Sequence, residues 1–161
     1  MFAPPIADDF KSMDCLRKAL DIEPDNLDAL LVLSRMQDLS TMVEGVSEDV
    51  FEKLSQAQTD NPEYRSMLAF AKAWYYESKD MTQEYVQELK RSIQYFPGHV
   101  LNHISLSIYY KDHGQEEKSR YHRVQGIDHI DPESDTEDRT DVQFFIRERI
   151  KGRSLIGTIS K

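Results

Sequence analysis

The sequence predicts an all-α solenoid of antiparallel helix pairs, about eight helices in all, and three observations lead to it. Four prolines, Pro24, Pro62, Pro97 and Pro132, fall 38, 35 and 35 residues apart. Each closes a helix-like stretch carrying an aliphatic residue eight positions earlier, at Leu16, Leu54, Leu89 and Val124. Repeats of this period with a proline at the boundary are what stacked helix–turn–helix units produce. The stretches between prolines are split by short turns, so neighbouring helices must pack antiparallel.

In chain order, the second helix of an incomplete first repeat is expected over 7–22. Further helices are expected over 26–39, 47–60, 62–78, 81–95, 98–112, 115–130 and 136–151. Asp80 with Gln83, and Thr140 with Gln143, read as helix starts, each with a side-chain acceptor at the open end and a partner three residues on. Ser47 with Glu48 and Asp49 does the same more weakly. Gly114 ends a helix where a residue without a Cβ turns left-handed at little steric cost. The repeat array is placed at 1–135, and a capping helix with a basic tail at 136–161.

The ends of a stacked array need cover, because each helix pair is amphipathic and cannot bury its apolar face alone. Val142, Phe145, Ile146, Arg149 and Ile150, with Phe144 beside them, have the spacing of a final helix that covers the last repeat. At the other end Phe10, Met13 and Leu16 have no preceding helix, only Phe2 and Ile6. The expectation is a sticky edge that dimerises or joins a longer chain.

Composition narrows the partners. The 161 residues carry a formal charge of −9 and 39% hydrophobic residues. An excess of carboxylates disfavours nucleic acid and anionic membrane surfaces, both of which are held by neutralising phosphates. A basic protein partner is the natural complement. Six acids between Asp131 and Asp141 face a single Arg139, whereas Arg147, Arg149, Lys151, Arg153 and Lys161 follow with only Glu148 against them. No apolar run approaches the ~18 residues of a membrane span. The start has no basic n-region or apolar h-region, and Cys15 is the single cysteine, so the cytoplasm is the default.

Twelve residues, Cys15-Leu16-Arg17-Lys18-Ala19-Leu20-Asp21-Ile22-Glu23-Pro24-Asp25-Asn26, resemble the second-helix ending of a tetratricopeptide repeat (TPR). His103, Leu106, Ser107 and Tyr110, followed by Gly114 and Ser119, are similar to the family's first-helix pattern. Tyr75-Tyr76 with Asp80 repeats that register one unit earlier. Departures are also visible: Gln37 stands where an aromatic is usual, about four extra residues lie around Met42 to Gly45, and Lys72 occupies a small-residue position. There the helix is expected to turn and expose the amine. The resemblance covers roughly 12–132 and implies a right-handed superhelix whose concave face binds partners.

By the family's geometry, first-helix residues four, seven, eleven and fourteen places after each boundary proline point into the groove. These are Asp28, Leu31, Arg35 and Asp38 in repeat one; Ser66, Ala69, Ala73 and Tyr76 in repeat two; and Leu101, Ile104, Ile108 and Lys111 in repeat three. A groove with an apolar middle suits an extended or helical peptide of another protein. Some relatives clamp a C-terminal carboxylate with Lys and Asn residues. The matching positions here are Leu31, Arg35, Phe70, Leu101 and Ser105, which leaves one cation and no clamp. The function implied is a non-catalytic interaction module, an adaptor or scaffold, with a co-chaperone or secretion-type chaperone as the alternative.

Enzymatic chemistry finds little support. His99 and His103 lie four apart on one expected helix, yet no third ligand stands at a metal-binding spacing. His103 takes a bulky core position, and His113, His122 and His129 read as surface or loop residues. Cys15 reads as a partly buried, inert thiol. No glycine-rich phosphate loop is present, so no cofactor or metal is expected. A metal-dependent enzyme is the least favoured reading. Trp74 and Tyr75 are expected to pack between helices.

Overall fold

The computed structural model describes residues 6–39 and 45–128, with side chains described over 10–38 and 45–126. Among them are seven helices: α1 (Ile6–Ile22), α2 (Leu27–Leu39), α3 (Glu48–Gln56), α4 (Pro62–Ser78), α5 (Thr82–Tyr95), α6 (Val100–Asp112) and α7 (Glu116–Asp128). The eighth helix, expected over 136–151, and its Thr140–Gln143 cap lie outside the described residues. Contacts divide the chain into two compact units between Pro97 and Gly98.

In the first unit α1 packs on α2, α2 on α3 and α4, α3 on α4, and α4 on α5. Pro24 stops α1, and the next helix is opened by Asn26, whose Oδ1 accepts the Ala29 N–H at 2.9 Å. Met13 and Leu20 of α1 are buried with Leu30 and Leu33 of α2 in the core. Met13 is thus not part of an open edge; Phe10 remains 40% exposed, and Phe2 lies outside the described residues.

Gln37, the departure from the aromatic pattern, ties the α2–α3 connection. Its buried amide donates to Ser47 Oγ (2.9 Å) and accepts the Ser47 N–H (3.0 Å). Gly45 has φ +79°, and a Cβ there would collide with Ser78. Ser47 precedes α3 without capping it; its hydroxyl donates to Asp49 instead (2.6 Å).

The α3 helix ends at Gln56, earlier than the expected residue 60, because Ala57 is already extended (φ −62°, ψ 133°). Pro62 disfavours helical geometry at the residue before it. It also departs from Pro24 and Pro97: it is the first residue of α4 rather than the end of the preceding helix. Asn61 caps α4, with Oδ1 accepting from the N–H groups of Glu63 (2.9 Å) and Tyr64 (3.3 Å). At the α4–α5 corner Asp80 does not cap. It adopts φ 56° and Met81 takes the cap position without a side-chain bond. Between the two helices the buried hydroxyls of Ser66 and Ser92 meet at 2.8 Å.

In the second unit α6 packs on α7. Ser107 Oγ donates to the Ser119 carbonyl and Ser119 Oγ to the Ser107 carbonyl, each at 2.9 Å, where two small side chains let the helices close. Gly126 extends this approach: a Cβ there would lie 3.3 Å from His103 Cβ. Gly114 supplies the expected left-handed turn at φ +69°, and the Gln115 N–H reaches the Tyr110 carbonyl at 2.8 Å.

Candidate functional site

One side of α2 is spent on packing: Ala29, Leu30, Leu33, Ser34 and Gln37 are buried. The other side carries the expected groove residues. Asp28 and Arg35 are exposed, Leu31 and Asp38 are half-buried, and Val32 beside them is 48% exposed. Tyr64 of α4 donates its hydroxyl to Asp28 Oδ1 at 2.6 Å, and this bond to a carboxylate raises the phenol above its usual pKa. The α2 face is therefore apolar in the middle and acidic at both ends, with one guanidinium between.

On α4 the expected residues sit differently. Ser66, Ala69 and Ala73 are buried. Tyr76 is half-buried and packs edge-on to Phe51, 5.3 Å between centroids, and burial is the main cause raising its phenol pKa. The left-handed residues explain the difference, since Asp80 closes α4 as Gly114 closes α6, and they lie 34 residues apart. Counting back 34 from Leu101, Ile104, Ile108 and Lys111 reaches Met67, Phe70, Trp74 and Glu77, one place beyond the set expected from Pro62. Pro62 opens α4, whereas Pro24 and Pro97 precede α2 and α6 by about a turn, so the two counts differ by one residue on α4. Met67 is 38% exposed, Glu77 is half-buried, and Phe70 and Trp74 are buried with ring centroids 4.7 Å apart. In the second unit Leu101, Ile104 and Ile108 are half-buried and Lys111 is exposed.

The aromatic pair beside this face is structural. Tyr75 stacks on Phe51 at 3.8 Å and donates to Glu48 Oε2 at 2.7 Å, while Lys79 lies 3.3 Å from the other oxygen. These bonds hold the Glu48 carboxyl below its usual pKa. Trp74 faces away from that stack, toward Phe70.

The histidines pair in a way that spacing along the helix did not show. His103 is buried as expected, but its Nδ1 meets Nδ1 of His122 at 3.1 Å, so His122 is half-buried at the helix contact and not a surface residue. His99 is pushed down to about 4 by burial, with His103 adding to the effect. His113 is exposed, with its Nδ1 2.8 Å from the Tyr109 carbonyl, and His129 lies outside the described residues. Cys15 is exposed, contrary to the partly buried thiol expected. Among the described residues no group of three or more His, Cys, Asp or Glu is placed to hold a metal. No described helix is long and apolar enough to cross a membrane.

Compared with family models, the sequence matches none, and comparison with curated protein sequences also gives no match. Among solved structures the chain is similar to the crystal structure of MamA, a TPR-type solenoid. The TM-score is 0.54 at 19% sequence identity, over 73% of this chain and 66% of that one. At such identity the likeness shows the fold: an all-α helical-repeat architecture of the TPR type, as the proline period and the His103–Ser119 pattern led the sequence to predict.

Proposed function

We propose that this chain is a non-catalytic protein–protein interaction module, an adaptor or scaffold. It holds a peptide or helical segment of another protein against the first-helix face of its repeats. The observation that carries this reading is α2. With its inner side fully committed to the core, it keeps Leu31 and Val32 at the surface between Asp28, Arg35 and Asp38. An apolar strip edged by charge is the pattern a docked amphipathic segment complements, the strip giving affinity and the charges giving register. On α4 the exposed Met67 and half-buried Glu77 continue the same register, while Phe70 and Trp74 are buried. In the second unit, taken by itself, Leu101, Ile104, Ile108 and Lys111 occupy the corresponding positions of α6. Asp28 and Asp38, with a chain charge of −9, favour a basic segment.

The test is affinity for a partner captured by cross-linking and then purified. Leu31→Glu and Val32→Glu place a charge in the strip without touching the buried side of α2. Each is expected to weaken binding at least about tenfold with the helical circular dichroism unchanged. Undiminished affinity of both folded variants contradicts the assignment.

A further inference from the structure

A second site lies on the side of α4 turned away from Trp74. Lys72 and Trp74, two residues apart, point about 200° from one another around a helix. On the Lys72 side the 57–60 segment, α4 and α5 border a cleft of about 580 Å³, all within the first unit. That volume falls in the range of small-molecule sites. Leu68 and Ala69 lie at its floor, and its apolar walls are the half-buried Ala57 and the ring of Tyr95, 39% exposed.

Pairing among the charged groups of the cleft leaves one of them over. Arg65 is committed: its Nε donates to the Thr59 carbonyl at 2.7 Å and a terminal nitrogen to Asp60 at 3.0 Å. Arg91 donates to Glu88 Oε1 at 2.6 Å, and the second Glu88 oxygen is closed to solvent, so no group in the cleft reaches it. Lys72 remains. Expected to expose its amine, it is half-buried instead and forms no hydrogen bond or ion pair with a described residue. Desolvation lowers its pKa, the Glu88 carboxylate pulls the other way, and Arg91 adds to the lowering. An ammonium partly withdrawn from water with no group bonded to it is costly, and an anion entering the cleft removes that cost.

We propose that the cleft binds a small aromatic monocarboxylate, its carboxylate bonded to Lys72 and its ring lying against Tyr95 and Ala57. The one uncommitted cation sets the ligand's charge. A single carboxylate matches it, whereas the second charge of a dianion finds Arg65 and Arg91 already bonded to Asp60 and Glu88. A cationic ligand meets the Lys72 ammonium and no open carboxylate partner. The exposed Tyr95 ring favours a flat aromatic body over a branched one, because stacked rings attract beyond the area they bury.

Ligand-observed NMR titration of the full chain with phenylacetate, phenethyl alcohol, acetate and inorganic phosphate tests the proposal. Phenylacetate is expected to bind at least about tenfold more tightly than the others, since the alcohol lacks the charge and acetate and phosphate lack the ring. Lys72→Met should remove at least about tenfold of that affinity. Lys90→Met deletes an exposed cation of α5 outside the cleft and should leave it unchanged. Equal binding of phenethyl alcohol would make the cleft an apolar crevice, and equal binding of acetate and phosphate would make it a plain basic surface; either overturns the proposal. So does the absence of saturable phenylacetate binding up to about 10 mM, which would reduce the cleft to a solvent-filled gap. The ligand series on the parent chain decides even if Lys72→Met fails to fold.

Discussion

Replacing Ala73 with Glu separates the two registers of α4. Counted from Pro62, Ala73 lines the groove and tolerates a carboxylate; counted from Asp80, it is core, and the structure leaves it 0% exposed. A carboxyl forced into that site protonates in preference to staying charged. The cost is then that of burying an unsatisfied neutral acid, about 1–3 kcal/mol, plus overpacking of a close-fitted contact, about 1–3 kcal/mol. The sum is a large part of the ~5–15 kcal/mol that holds a typical domain. Met67→Glu is the control. Met67 is 38% exposed and both residues are good helix formers, so a change within about 0.5 kcal/mol is expected. Urea denaturation followed by circular dichroism at 222 nm measures both, that wavelength being where helices absorb. An Ala73→Glu protein that loses less than about 1 kcal/mol would refute the Asp80 register.

Gln37→Ala removes the amide that binds Ser47 and leaves a buried void. A loss of about 2–4 kcal/mol is expected by denaturation, with Gln37→Met recovering the packing part alone. His99 titrates below its ordinary 6.5, at about 4, in the folded chain. Above pH 6.5 it is neutral in both states. As pH falls from there the unfolded chain takes up a proton that the folded one refuses, so stability declines down to pH 4 by at most about 3 kcal/mol. Denaturation midpoints between pH 7 and 4 read this slope, and His99→Gln should flatten it.

Helices were legible wherever a boundary residue acts locally. Pro24 and Pro97 stop helices by removing an N–H, and Gly114 turns the chain because nothing hinders its positive φ. Asn26 and Asn61 cap through their own side chains, a signal that the residue type itself carries. The end of α3 was not legible. Gln56-Ala57-Gln58 favours helix, and the extended backbone at Ala57 belongs to the approach to Asn61 and Pro62. On α4 two sequence signals disagree by one residue: Tyr75-Tyr76 with Asp80 match Tyr110 and Gly114 at 34 residues, whereas the count from Pro62 selects Ser66, Ala69 and Ala73, which the structure buries. The His103–His122 pair joins residues 19 apart on two helices, and helical spacing alone cannot show such a contact. Gln37 was visible as a departure, but its role required the return of Ser47.

Position-by-position photo-cross-linking along α2 tests the interaction face most directly. A photoreactive residue is placed in turn from position 28 to 38, and adducts with partner proteins are quantified in the source cell. The expected profile peaks at 28, 31, 32, 35 and 38 and falls to background at the buried positions 30, 33, 34 and 37. A flat profile, with reference positions on the exposed side of α3 cross-linking as strongly, would contradict the account.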